Sequence, residues 1–209
     1  MSPRPYHLGK RRDLIGQGRR QILDATRALL GESASYTAFT IDAVARRADV
    51  ARATVYYQFG SKTGLLEALC DDLAEAGQLS ELAQAFNGTD AAAALRGFVA
   101  GFGRFWDVDR TAMRRLRALA ALDPDVGAVI AARDQRRYEG LRVLVSRFAE
   151  SQPSSPARPA VEPGQGVRML HALTSFETFD ALASAGQRLT EVVPEVLSLA
   201  EAVMLRREP

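Results

Sequence analysis

Residues 40–66, TIDAVARRADVARATVYYQFGSKTGLL, constrain this chain more than any other stretch. Two short runs of helical apolar spacing lie there with only a few residues between them, so the backbone must turn sharply between two helices. The first run starts at Thr40, whose hydroxyl is placed to cap a free backbone N–H, and Asp42 follows in the positive first turn. Ile41, Val44 and Ala45 share one face, which leaves Arg46 and Arg47 for solvent or an anion. The turn is Ala48-Asp49-Val50, and the second helix is expected over about Ala51 to Phe59, anchored by Val50, Val55 and Phe59. A helix-turn-helix unit is the reading.

The opposite face of the second helix offers Arg52, Ala53, Thr54, Tyr56 and Tyr57. These groups suit a B-DNA major groove. Arginine bonds guanine in bidentate fashion, alanine and the threonine methyl touch the thymine methyl, and tyrosine hydroxyls bond phosphate oxygens. Ser61 is placed to cap the next helix, whose free N–H groups and Lys62 would attract the same phosphate.

Phe39-Thr40, the apolar spacing of the two helices, the block Val55-Tyr56-Tyr57-Gln58-Phe59 and Ser61-Lys62 together resemble the amino-terminal domain of TetR-family transcriptional regulators. The close match covers roughly residues 20–70. The resemblance implies that Arg52, Ala53, Thr54 and Tyr56 lie nearest the base edges, that Thr40, Tyr57 and Lys62 hold phosphates, and that Gln58 stands where a further backbone contact is made. It departs from the family in three places: Asp49 where glycine is usual, Ala51 where a Ser or Thr cap is usual, and Gln58 where histidine is common. Asp tolerates a left-handed backbone, whereas a missing cap costs about 1 kcal/mol.

Charge follows the same division. The chain has 209 residues and a formal net charge of +2, yet residues 1–62 hold 11 Lys or Arg against 5 Asp or Glu. The remaining 147 residues hold 16 against 20, so the helix-turn-helix end is the basic one, as a DNA footprint requires. Residues 1–15, with two prolines and the Lys10-Arg11-Arg12 run, are expected as a flexible basic tail, with a minor-groove arm as the alternative. Helix-turn-helix domain is expected over 16–62, beginning with a helix over 16–31, and a connecting helix runs to about 79. The single Cys70 lies among Leu66, Leu69 and Leu73 as a small buried side chain and excludes an intrachain disulfide. No apolar run is long enough to cross a membrane and no signal-like segment opens the chain, so a cytoplasmic protein is expected.

Residues 80–209 are expected as a helical effector-binding and dimerisation domain, which makes the whole chain all-α. Helical patterns fall near 90–106, 110–122, 124–150, 165–185 and 190–206, with Pro194 early in the last because its missing N–H is tolerated only there. Residues 151–166 hold four prolines, three serines and two glycines and read as a long loop, with a regulatory segment as the alternative. The last two helices carry apolar groups beyond one stripe (Val167, Leu170, Leu173, Phe176, Leu182 and Ala183, then Val192, Val196, Leu199 and Val203). Such helices need a second surface, which in a TetR-like chain is the same pair of a second subunit. A homodimer also suits a two-fold operator, because one short recognition helix sees few base pairs.

Phe98 and the set Phe102, Phe105, Trp106, Met113, Leu116, Tyr138, His171 and Ser175 are the candidates for a small-molecule site, completed by Thr174 and Thr178. Each aromatic taken alone reads more simply as core packing, and His171 as a hydrogen-bonded interior histidine. The resemblance implies that a ligand among these helices shifts the fourth helix and releases DNA, so the expectation is a ligand-released repressor on a palindromic double-stranded operator. Two histidines, one cysteine, no phosphate loop and no metal-ligand spacing leave an enzyme, a metal site or a bound cofactor little support. A DNA-binding dimer without an effector is the nearer competitor.

Overall fold

The computed structural model describes residues 6–32, 39–86, 88, 90–151 and 162–204. In chain order the helices are α1 (Tyr6–Glu32), α2 (Ile41–Arg47), α3 (Arg52–Phe59), α4 (Lys62–Ala76), α5 (Leu82–Ala85), α6 (Ala91–Asp107), α7 (Arg110–Ala120), α8 (Pro124–Ser151), α9 (Pro163–Leu173), α10 (Phe176–Leu182) and α11 (Val193–Met204). Single 3-10 turns, Leu79–Glu81 and Leu189–Val192, precede α5 and α11. No strand occurs among the described residues, so the fold class is all-α as expected.

The chain forms two compact units. One comprises residues 1–72 with 114–129, the other 73–113 with 130–209, and α4, α7 and α8 each contribute residues to both.

In the first unit, α1 packs on α2 and α2 on α3. Ile22, Leu23, Ala25 and Leu30 of α1, Ile41, Val44 and Ala45 of α2, and Val55 and Phe59 of α3 are buried, along with Leu65, Leu66, Leu69 and Cys70 of α4. The Thr26 hydroxyl, also buried, donates to the Ile22 carbonyl at 2.7 Å, which lets a polar side chain sit in the apolar face. The structure starts α1 ten residues before the expected position. Tyr6 follows directly on Pro5, and Leu8, Lys10, Arg11, Arg12 and Leu14 are good helix formers, so the prolines end where the helix begins. Residues 1–5 of the expected tail lie outside the described residues.

In the second unit α6 is the central helix, packed against α5, α10, α11 and the Leu189–Val192 turn, while α9 packs on α11. Ten of its residues are buried, among them Gly101 and Gly103. A Cβ at Gly103 would stand 2.5 Å from Val193 Cγ2, and one at Gly101 would run into Leu82, so these glycines set how closely the neighbours approach.

The expected helix over 165–185 is two helices. Thr174 and Ser175 break it: the Ser175 side chain caps α10 by accepting from Thr178 N at 3.2 Å, and the Thr174 carbonyl accepts from Trp106 Nε1 at 3.1 Å. A backbone carbonyl committed to a tryptophan no longer has to continue a helical ladder. The connecting helix expected to run to about 79 ends at Ala76, and the segment beyond it forms the Leu79–Glu81 turn and the short α5. Of the proline-rich segment, residues 152–161 lie outside the described residues.

Candidate DNA-binding surface

The helix-turn-helix is assembled by three local devices. Thr40, extended at φ −128° and ψ 156°, caps α2 by accepting from Ala43 N at 3.1 Å. Its oxygen takes that bond while its own O–H remains a donor, so capping and holding a phosphate are compatible. Asp49 closes the turn in the left-handed region at φ 50°. Ala51 has extended N-cap geometry, φ −66° and ψ 144°, with no side-chain cap. Gly60, at φ 74°, ends α3 and donates to the Tyr56 carbonyl at 2.8 Å.

That frame presents one face of α3. Val55 and Phe59 are buried, whereas Arg52 and Ala53 are exposed, Thr54 is half-buried, Tyr56 is 39% exposed and Tyr57 is 84% exposed. Five of the eight groups expected to meet DNA thus lie together on the unburied side of one helix. Gln58 stands apart. Its Oε1 is buried with no hydrogen-bond partner among the described residues, and its Nε2 lies beside Gly18 of α1. The Gln58 carbonyl accepts from Arg19 at 3.4 Å, and the Arg19 guanidinium stacks 4.5 Å from the Phe59 ring centroid.

The two cations of the surface are held by carboxylates that sequence reading did not assign. Arg52 donates from Nη1 to Asp42 at 3.2 Å and from Nη2 to the Tyr56 hydroxyl at 3.2 Å. The Tyr56 bond and the Asp42 charge hold the Arg52 guanidinium still more firmly protonated than usual. Lys62 Nζ lies 2.7 Å from Asp123 Oδ2 and 5.5 Å from the centroid of the Phe39 ring. Asp42 was legible only as a helix-dipole partner. Asp123, 61 residues from Lys62, gave no local signal.

The effector candidates divide by unit. Phe102, Phe105 and Trp106 are buried and stack on one another with centroids 4.5–6.2 Å apart, and Trp106 meets Phe176 at 5.8 Å. Met113 is buried in the same unit. Tyr138 and His171 are half-buried and meet edge to face at 5.5 Å, while Ser175 serves as the α10 cap. Leu116 is buried but belongs to the first unit. His171 Nε2 lies 3.1 Å from the Asp134 carbonyl, which fits an interior hydrogen-bonded histidine. Among the described residues no group of three or more His, Cys, Asp or Glu side chains is positioned to hold a metal ion.

Sequence reading missed Arg137, whose side chain is only 3% exposed. It donates to the Thr174 hydroxyl at 2.9 Å, to the His171 carbonyl and to Asp134 at 3.3 Å, and its guanidinium lies 5.8 Å from the Phe102 ring centroid. On a helix written PDVGAVIAARDQRRYEG, one buried arginine among three looks like any solvated charge.

Comparison with known proteins agrees with this geometry. Residues 22–69 match the family model described as bacterial regulatory proteins, tetR family. No curated protein matches the chain. Among solved structures, a TetR transcription regulator from Haloarcula marismortui is similar over 91% of this chain and 100% of its own, at 18% identity and a TM-score of 0.68. The transcriptional regulator FadR from Bacillus subtilis, solved in complex with stearoyl-CoA, is similar over 89% and 99%, at 15% identity and a TM-score of 0.66. The TetR-family regulator PfmR from Thermus thermophilus covers 88% and 99%, at 21% identity and 0.62. Residues 22–69 thus match the N-terminal domain of tetR-family bacterial regulatory proteins, and the chain has the fold of solved TetR-family regulators.

Proposed function

We propose that the chain is a homodimeric transcriptional repressor that binds a two-fold DNA operator and releases it when a small molecule enters the second unit. The observation that carries the reading is the α3 face: Arg52, Ala53, Thr54, Tyr56 and Tyr57 lie on the unburied side while Val55 and Phe59 fix the other side in the core. An aromatic side chain left 84% exposed, as Tyr57 is, gains nothing in the isolated chain and has a use once a groove covers it. Arg52, Ala53, Thr54 and Tyr56 read base edges, and Thr40, Tyr57 and Lys62 hold phosphates. Gln58, whose Nε2 lies beside Gly18 of α1, keeps its proposed place as a further backbone contact.

Dimerisation is proposed through α9 and α11. Val167, Leu170, Val196, Ala200 and Val203 are buried within one subunit, so the apolar excess of these helices is largely consumed there. Met169, 38% exposed, and Leu199, 47% exposed, remain for a partner. Two subunits related by a two-fold axis would place their α3 helices on half-sites about one DNA turn, roughly 34–36 Å, apart.

For the effector, the relative solved with stearoyl-CoA supports a small-molecule ligand in general, and the aromatic cluster of α6 with Tyr138 and His171 is the proposed place. The bonds that Arg137 and Trp106 each donate to Thr174 favour a second reading, a DNA-binding dimer without an effector, since those polar groups are already engaged. No catalytic role is assigned, and no helix of the described residues is long and apolar enough to cross a membrane, so action on cytoplasmic DNA is the proposed setting.

Binding of the purified chain to the DNA beside its own coding sequence tests the reading, with Tyr57→Ala and Lys62→Ala as controls. Weakened binding to all sequences with a flatter salt dependence is expected from the phosphate-contact variants. Unchanged affinity in both would remove the assigned surface. Thermal-shift screening of small metabolites then separates the ligand-released repressor from the effector-free dimer.

A further inference from the structure

Lys62 is the residue that should meet a DNA phosphate, yet in this structure its charge is already taken. The ammonium stands 2.7 Å from Asp123 Oδ2, with the two side chains only 33% and 25% exposed, and it lies over the Phe39 ring. The carboxylate is fixed in place. Its other oxygen, Oδ1, accepts from Asp125 N at 3.1 Å and Val126 N at 3.4 Å, which caps the first turn of α8. The Lys62 hydrogen bond first, and these backbone N–H groups after it, hold the Asp123 carboxyl below the usual carboxylate range, so it is a full negative charge at neutral pH.

One lysine in that seat cannot serve a carboxylate and a phosphate equally, because both demand the same short, charge-assisted geometry. We propose that Asp123 is a built-in competitor of the DNA backbone: it occupies Lys62 in the free protein, and operator binding exchanges the carboxylate for a phosphate at the head of α4. This rests on the DNA-binding reading of α3 and adds its regulation. Asp123 lies in the turn joining α7 to α8, two helices that each contribute residues to both units. Conformations of that turn that hold Asp123 against Lys62 weaken DNA binding, and those that withdraw it strengthen binding. A ligand acts through this contact only by favouring one of the two.

The experiment uses the full chain and the duplex that the wild type enriches from a random library. Affinities are compared for wild type, Asp123→Asn, Lys62→Ala and the double variant, with thermal unfolding as a check on folding. Asparagine keeps the α8 cap and removes the charge, and Asp123→Ser does the same if the amide variant folds poorly. Asp123→Asn should bind about two- to fivefold more tightly, the range that a partly exposed ion pair supplies. In the Lys62→Ala background the same change should give much less than that gain. An unchanged or weakened affinity in both folded Asp123 variants overturns the proposal. An equal gain with and without Lys62 also overturns it, because it would mark a general repulsion of DNA by Asp123. If the wild type enriches no duplex at all, the DNA-binding reading itself fails and the competitor falls with it.

Discussion

The two units differ in where their polar groups are used. Within the α2–α3 corner, polar side chains act locally: Thr40 caps three residues on, Arg52 meets Tyr56 one turn away, and Tyr57 faces outward, while the long reaches of that unit, Arg19 to the Gln58 carbonyl and Lys62 to Asp123, come from α1 and α4. In the second unit they act across the fold. Arg110 of α7 donates to Asp180 at 2.5 Å and also to the carbonyls of Asp180, Ala183, Ser184 and Gln187, tying the C-terminal end of α10 to a helix 70 residues earlier. Asp107 at the end of α6 likewise accepts from Leu189 N at 2.6 Å and from Arg188 Nε at 2.9 Å. The contrast teaches that the reader's surface can be varied with little cost to folding, whereas charges in the second unit are part of its framework.

Arg110→Ala should give the largest effect on that contrast. It removes one donor that the Asp180 carboxylate and four carbonyls share, and a loss of about 2–4 kcal/mol is expected in chemical denaturation. A loss below about 1 kcal/mol would mean that the network is incidental. Arg52→Ala should cost about 1–3 kcal/mol of discrimination at one base pair per half-site while thermal stability stays nearly constant. Binding competition among single-base operator variants reads the first effect and thermal unfolding the second.

Ala51→Ser should stabilise the chain by about 0.5–1 kcal/mol, because the backbone at 51 already has cap geometry and only the oxygen is missing. No gain in denaturation midpoint would show that something other than the absent cap sets the strength of α3. The smallest effect concerns pH. Asp123 in the first unit, and Asp90 and Glu162 in the second, have carboxyls held below their ordinary values, Asp123 mainly by Lys62, Asp90 by the Ala93 N–H and Glu162 by the Gly164 N–H. A lowered folded-state value means stability that is present above the ordinary value and lost as pH falls through the lowered one. Unfolding should therefore become easier below about pH 4, and Asp123→Asn should flatten part of that slope.

What was legible in the sequence follows the same line. The α2–α3 corner, the Thr40 cap, the left-handed Asp49 and the buried Cys70 could all be read because each depends on residues a few positions apart. The break at Thr174 and Ser175 was hidden, since it depends on Trp106 and Arg137 reaching a carbonyl and a hydroxyl far along the chain. The early start of α1 was obscured by two prolines and a basic run that resemble a tail. On the DNA surface, the groups that face outward were identifiable from helical spacing, but their resting partners Asp42 and Asp123 were not, because an acidic residue in a first turn or before a proline already has a sufficient local explanation.

The central claim is that the outward face of α3 recognises DNA as one of a symmetric pair. Selection of duplexes from a random library by the full chain, repeated with Arg52→Ala, tests it most directly. The account predicts a two-fold sequence with half-sites about one helical turn apart for the wild type, and loss of preference at one position in each half for the variant. Enrichment of no sequence, or of an identical sequence by both proteins, would contradict it.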